Sequence, residues 1–107
     1  MELPQIEATV SRWASDKLIV RRVYLFGSRV RGDHRPDSDI DIAVELVPDL
    51  DESGGLATWM FETTGWESEL ERLIPLKVQL ERYHPEQTPT VGMGIDSSSR
   101  LVFDRAI

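Results

Sequence analysis

Residues 27–41, GSRVRGDHRPDSDID, decide how this chain folds. They begin with a glycine and a serine, Gly27 and Ser28, and end with two aspartates, Asp39 and Asp41, that are separated by one apolar residue. Alternate residues of a strand point to the same face, so both carboxylates are expected to project together from one side of a strand. The apolar side chains of that strand would then be buried on its other side.

Two predicted strands flank the turn. Residues 18–26 are rich in β-branched and aromatic side chains, which predicts a buried strand that ends at the glycine. Residues 39–46 alternate between apolar and other side chains and predict the second strand. Between them, residues 28–31 predict a short helix or turn and residues 33–38 a loop.

Helices and shorter strands account for the rest of the chain. Apolar spacing predicts a helix over residues 4–17 and a long amphipathic helix from residue 56 to just before Pro75. In the long helix the residues expected to pack inward include Trp59, Met60 and Trp66. The remaining predicted elements are a strand over residues 76–81, a loop or short helix over 84–99 and a final strand over 101–103.

This order of elements predicts an α/β (α+β) fold, a small mixed β-sheet packed with helices. At 107 residues the chain has the size of one compact domain, so a single domain over residues 1–107 is expected. No run is long and apolar enough to span a bilayer, and the N-terminus lacks the pattern of a secretion signal. A cytoplasmic location without membrane contact is therefore expected.

Composition restricts the kind of metal site that the chain can form. Cysteine is absent, and His34 and His84 are the two histidines, which excludes thiolate sites and imidazole-rich zinc centres. A metal ion would have to be bound by oxygen ligands.

The net charge of −7 is unevenly distributed along the chain. Residues 12–35 carry seven basic and two acidic side chains, a local balance of +5, so the remaining residues sum to −12. The overall charge argues against direct binding to duplex nucleic acid, which depends on clustered basic residues. The positive charge around the turn is compatible with a triphosphate, with an RNA end or with an acidic protein surface.

The turn and the two aspartates suit the binding of a metal-bound nucleoside triphosphate. Mg²⁺ takes one or two carboxylates and keeps its other positions for water and phosphate, and Asp39 and Asp41 supply such a pair. Gly27 would let the backbone approach the phosphates, and Ser28 would donate its hydroxyl. The alternative is that both aspartates are ordinary solvated residues on an exposed strand face.

The stretch resembles the Gly-Ser-x10-Asp-x-Asp signature of the minimal nucleotidyltransferase (MNT) family, within the polymerase-beta-like superfamily. The resemblance implies the nucleotidyltransferase fold of that superfamily, ATP as the nucleotide donor, Mg²⁺ as the cofactor and transfer of AMP to a hydroxyl. Members of this family are often antitoxins that adenylylate a tyrosine of a HEPN-domain ribonuclease. The implied partner of this chain is therefore a HEPN toxin.

The resemblance also implies roles for individual residues. By position, Gly27 and Ser28 would hold the triphosphate, and Asp39 and Asp41 would bind the metal ion and serve as catalytic residues. The candidates for further phosphate contacts are Arg29 and Arg31, although each is equally compatible with a solvated loop.

A third acid commonly follows in this family on the next long strand, in a sequence such as Val-Asp-Leu. Here residues 78–80 read Val-Gln-Leu, and the neutral Gln79 cannot act as a general base. Glu81 lies two residues further along the same strand face. It would serve as the third catalytic acid if it reaches back about one strand repeat, roughly 6 to 7 Å.

Three functional hypotheses remain open from the sequence. The leading one is a Mg²⁺-dependent nucleotidyltransferase that transfers AMP from ATP to a tyrosine of a HEPN toxin. The second is a catalytically weakened or inactive MNT domain that neutralises a toxin by direct binding. The third is an adaptor for an unrelated transferase or RNA substrate.

Overall fold

The computed structural model describes residues 1–105, and the last two residues of the predicted domain, 106 and 107, lie outside the described part. The elements in chain order are α1 (Leu3–Ser15), β1 (Val20–Phe26), α2 (Ser28–Arg31), β2 (Ile40–Leu46), α3 (Leu56–Leu73), β3 (Val78–Tyr83), α4 (Pro89–Ser97) and β4 (Ser99–Asp104). Among these described helices, none combines the length and the apolar character that crossing a membrane requires.

The strands form one four-stranded mixed sheet in the order β3-β2-β1-β4. β1 runs antiparallel to both of its neighbours, β2 and β4, whereas β2 and β3 are parallel. A parallel pair needs a long crossover connection, and α3 provides it. The predicted fold class, a mixed sheet packed with helices, is confirmed.

One face of the sheet packs against α1 and α3 and forms the hydrophobic core. On the helix side, the indole ring of Trp66 meets Trp13 at 5.7 Å and Trp59 at 6.0 Å, both edge to face. The strands contribute a set of apolar side chains that point the same way: Val20, Val23, Leu25, Ile40, Ile42, Val44, Val78 and Leu80. The intervening side chains of these strands therefore face away from the core.

The prediction that Met60 packs inward is wrong. Trp59 and Trp66 are buried as expected, but Met60 is 71% exposed and its neighbour Phe61 is 85% exposed. Successive helical residues are rotated by about 100°, so the stripe that contains Trp59, Trp66 and Leu70 leaves residue 60 on the outer side.

The second face of the sheet is partly covered by α4. The sequence predicts a loop or a short helix over residues 84–99, and residues Pro89–Ser97 are helical. A Cβ atom at Gly94 would lie 3.2 Å from the ring of Phe26. The absence of a side chain at Gly94 therefore lets this helix pack closely against that ring. α4 is thus seated on the face opposite to α1 and α3.

The outer edge of β3 is closed by two glutamates of α3. The backbone N–H of Val78 donates to Glu71 Oε2 at 2.9 Å, and that of Leu80 donates to Glu67 Oε2 at 3.4 Å. An edge strand otherwise presents such groups to solvent or to another chain. These bonds hold β3 against α3. Val78 and Leu80 are buried in the core, so the intervening Gln79 projects toward the opposite face.

Asp51 anchors the loop that leads into α3. Its carboxylate accepts hydrogen bonds from the backbone amides of Ser53, Gly55 and Thr58 and from the hydroxyls of Ser53 and Thr58. These bonds, with the Ser53 hydroxyl as the largest contribution, hold the pKa of Asp51 well below its ordinary value of 3.8.

Replacing Asp51 by alanine should lower the midpoint of thermal denaturation at pH 7, because the start of α3 loses its side-chain cap. The folded-state pKa of Asp51 is lowered, so its stabilisation is fully present above the ordinary value of 3.8 and is lost as the pH falls below it. The difference from wild type should therefore shrink in melts at pH 3. Glu52→Ala, which removes an exposed acid from the same loop, is the control, and an equal effect of both substitutions would contradict the assignment.

Candidate functional site

Gly27 ends β1 and begins the turn into α2. Its φ of 84° lies in the left-handed region, which side chains other than glycine rarely adopt. A Cβ atom at this position would overlap Oδ2 of Asp41. The backbone of the turn and the carboxylate are therefore immediate neighbours, and a larger residue would displace one of them.

The two aspartates lie at the start of β2. Asp41 pairs with Phe26 of β1 and with Gln79 of β3, so it occupies the middle of three adjacent strands. The isoleucines on either side of Asp41 are fully buried in the core, so its carboxylate projects from the other face. Asp39 directly precedes the strand, and both aspartates are half-buried.

This environment raises the pKa of Asp41 above its ordinary value. Partial burial is the largest cause, the negative charges of Asp39 and Glu81 add to it, and the positive charge of Arg31 opposes it. Three acids therefore repel one another across a partly desolvated surface. A hard cation such as Mg²⁺, which prefers carboxylate oxygens, would relieve that repulsion, so the donor set fits a Mg²⁺ ion.

The place of the third acid is occupied by an amide. Gln79 lies beside Asp41 in the parallel register, and Glu81 lies beside Ala43, one repeat further along. The Gln79 Nε2 group donates to Glu81 Oε1 at 3.4 Å, so the two side chains share one face. Across residues 1–105, no three histidine, cysteine or acidic side chains gather as a metal-binding group. The two aspartates are therefore the pair available to a shared ion.

The two arginines of α2 have different surroundings. Arg31 is exposed, pairs through Nε with Asp33 Oδ2 at 3.2 Å, and acts on the charge of Asp41. Such exposed pairs contribute little energy, so Arg31 can turn toward an anion at small cost. Arg29 instead donates hydrogen bonds to the carbonyl groups of Pro36 and Ser38. The structure thus directs Arg29 toward the loop before Asp39.

Aromatic rings flank the acids on the same sheet face, and sequence reasoning missed them as part of the site. Phe26 pairs with Asp41 across the β1–β2 ladder. Tyr24 meets Tyr83 edge to face at 5.8 Å, and Ala43, the partner of Tyr24 on β2, is small enough to leave room for this contact. Strand alternation was the available signal, because it sets Tyr24 and Phe26 on the face opposite to the core.

A cleft of about 590 Å³ lies at the other end of the sheet, between the loops that follow β2 and β3. Its lining within residues 1–105 includes Arg21, Asp49 and His84 but neither Asp39 nor Asp41. The candidate site is instead an open surface where β1 ends and β2 and β3 begin.

The family model described as Polymerase beta, Nucleotidyltransferase matches residues 9–107. The chain belongs to the polymerase beta nucleotidyltransferase family. The match includes the glycine turn, both aspartates and the strand that carries Gln79 and Glu81. A search of curated protein sequences gives no significant match.

Solved structures have the same fold as this chain. A chain of a toxin–antitoxin complex crystallised with AMP-PNP is 21% identical with a TM-score of 0.68, over 92% of this chain and 73% of that one. A chain of the complex of tri-AMPylated Shewanella oneidensis HEPN toxin with MNT antitoxin is 19% identical with a TM-score of 0.61, over 94% and 71%. A Sulfolobus solfataricus protein described as a nucleotidyltransferase is 24% identical with a TM-score of 0.57, over 96% and 80%. The predicted polymerase-beta-like fold is confirmed.

Replacing Asp41 by asparagine should stabilise the metal-free protein at pH 7, with an increase in melting temperature of roughly 1 to 4 °C. The folded-state pKa of Asp41 is raised, so its charge destabilises the fold once the pH exceeds the ordinary value of 3.8. Melting curves in EDTA at pH 7 and pH 3 measure the effect, which should shrink at pH 3. Asp37→Asn, in the exposed loop, is the matched control, and a destabilised Asp41→Asn protein would contradict this reading.

Proposed function

We propose that this chain is a Mg²⁺-dependent nucleotidyltransferase that transfers AMP from ATP to a tyrosine hydroxyl of a HEPN toxin, and that it acts in the cytoplasm as the antitoxin. The contact between the Gly27 backbone and the Asp41 carboxylate carries this proposal, because it joins a phosphate-binding turn to a cation site. Family membership supports nucleotidyl transfer as the chemistry. The AMP-PNP and the AMPylated HEPN toxin in complexes of similar fold support the donor and the partner.

Each residue of the site has a separate task in this proposal. Asp39 and Asp41 would hold the Mg²⁺ ion, which when bound neutralises phosphate charge and orients the reacting groups. Gly27 lets the triphosphate approach the backbone, and Ser28 donates its hydroxyl to a phosphate oxygen. Arg31, exposed and close enough to act on Asp41, adds positive charge for the polyanion.

The transfer forms one bond and breaks one. The tyrosine oxygen bonds to the α-phosphorus of ATP, while the bond from that phosphorus to the oxygen leading to the β-phosphate breaks and pyrophosphate leaves. The proton of the tyrosine hydroxyl needs an acceptor. Glu81 is the carboxylate assigned to this task, because it shares the sheet face with Asp41 and because Gln79 cannot accept a proton.

A binding module with weakened or absent catalysis is the second candidate function. The observation that favours it is the neutral Gln79 directly beside Asp41, where the family commonly has an acid. Such a protein would neutralise the toxin by covering its surface. The exposed side chains of Met60 and Phe61 on α3 offer apolar area for contact with that toxin.

Incubation with labelled ATP, Mg²⁺ and the cognate HEPN toxin should transfer label to the toxin. Asp39→Asn should lower the rate of labelling by roughly 100-fold or more, because the ion loses one of two carboxylate ligands. Asp37→Asn removes the same charge from the exposed loop two residues earlier and should leave the rate unchanged. Mass spectrometry of the toxin checks that the label is AMP on tyrosine.

The contradicting outcome separates the two candidate functions. If no label is transferred to a folded toxin, and if the Asp39→Asn/Asp41→Asn double variant still suppresses toxicity, then the chain neutralises by binding and the enzymatic proposal fails. Loss of suppression in the double variant, with the complex still intact on gel filtration, supports transfer.

Glu81→Gln should lower kcat by about 10²-fold or more with little change in the KM for ATP, because the substitution removes the proton acceptor and leaves the phosphate contacts in place. Steady-state labelling over a range of ATP concentrations measures both constants. Glu86→Gln, which changes an exposed glutamate in the turn after β3, is the control. An unchanged kcat in Glu81→Gln would assign the proton to water.

A further inference from the structure

Arg29 makes three hydrogen bonds to the backbone of the loop that precedes Asp39. Its Nε donates to the Ser38 carbonyl oxygen at 3.1 Å, and its Nη2 donates to the same oxygen at 2.8 Å and to the Pro36 carbonyl oxygen at 3.2 Å. Hydrogen bonds from a charged donor are stronger than those between neutral groups. One side chain of α2 therefore holds two carbonyl groups of the loop.

The acceptor that receives two of these bonds is well placed to control Asp39. The Ser38 carbonyl belongs to the peptide bond that joins Ser38 to Asp39, and this bond is planar, so fixing the oxygen also fixes the amide of Asp39. Ser38 is further held to Arg35, since its hydroxyl accepts from the Arg35 amide at 2.9 Å and its own amide donates to the Arg35 carbonyl at 3.0 Å. On the other side, the Ile40 amide donates to the Lys77 carbonyl at 3.0 Å.

We propose that Arg29 is a positioning residue that clamps the loop before β2 and so sets Asp39 beside Asp41. This inference rests on the proposed function, since it takes Asp39 as a metal ligand. The clamp also links two parts of the site, because Arg29 directly follows Ser28 at the start of α2. A phosphate that fixes the turn would thereby steady Asp39 as well.

A positioning residue and a phosphate ligand differ in the expected effect of removing the side chain. A phosphate ligand acts only when nucleotide is present, and its loss leaves the nucleotide-free loop unchanged. A clamp acts in the free protein, so its loss loosens the loop and weakens binding of a metal ion even without nucleotide.

Three variants separate the clamp from a general effect of charge. Arg29→Ala removes the hydrogen bonds and the charge, whereas Arg29→Lys keeps the charge but lacks the planar fork that reaches two carbonyls. Arg35→Ala removes an equal charge from an exposed position in the loop itself and leaves the Arg29 hydrogen bonds in place. Amide exchange in the metal-free protein reports on residues 37–40, with the amides of β1 as the internal measure of intact folding. Electron paramagnetic resonance of Mn²⁺ without nucleotide reports metal affinity.

The clamp predicts that amide exchange over residues 37–40 is about 10-fold faster in both Arg29 variants and unchanged in Arg35→Ala. It also predicts that Mn²⁺ affinity falls about 10-fold in both Arg29 variants and not in Arg35→Ala. Wild-type exchange in Arg29→Ala would overturn the proposal, and so would equal losses in Arg35→Ala and Arg29→Ala. If the wild-type protein binds no Mn²⁺, the proposed function fails, and the exchange measurement still decides whether Arg29 holds the loop.

Discussion

The close contact between the Gly27 backbone and the Asp41 carboxylate is the constraint on which the site depends. The antiparallel pairing of β1 with β2 sets Phe26 opposite Asp41, so the next residue along the chain has to turn directly over that carboxylate. Only a residue without a Cβ atom fits there, and its φ of 84° is one that glycine adopts readily. Backbone pairing and a single missing side chain thus bring together the turn that we propose binds phosphate and the acid that we propose binds the metal ion.

This arrangement is electrostatically unfavourable in the free protein. Burial and the charges of Asp39 and Glu81 act together on Asp41, and the charge of Arg31 offsets only part of their effect. Carboxylates with perturbed pKa values cluster at functional sites, where a bound ion or substrate compensates for the repulsion. The remainder of the fold supplies the rigidity that such a site needs. Its core lies on the far face of the sheet, and Glu67 and Glu71 hold the strand that carries Gln79 and Glu81.

Much of the fold could be predicted from local pattern. The helix and strand periods identified α1, β1, β2 and α3 and set Asp41 on the side of β2 away from the core, because these properties depend on neighbours in the sequence. The exposed position of Met60 was not predicted, since apolar spacing alone did not fix which side of α3 meets the sheet. The two glycines of α4 made the prediction of a helix there uncertain. One of them, Gly94, is needed because the helix packs closely against the ring of Phe26.

The residues of the candidate site could be predicted only where they depend on neighbours in the sequence. The signature of residues 27–41 named the turn and the two aspartates, whereas the bonds from Arg29 to the loop depend on a chain reversal that no local pattern encodes. The neighbours of Asp41 across the sheet, Phe26 and Gln79, likewise follow from strand register, which the sequence left undetermined.

A crystal structure with Mg²⁺ and a non-hydrolysable ATP analogue tests this account most directly. The account predicts one ion bound by both Asp39 and Asp41, with the triphosphate lying along the backbone of Gly27 and Ser28. Nucleotide bound instead in the cleft between the loops that follow β2 and β3, or an ion that touches neither aspartate, would contradict it.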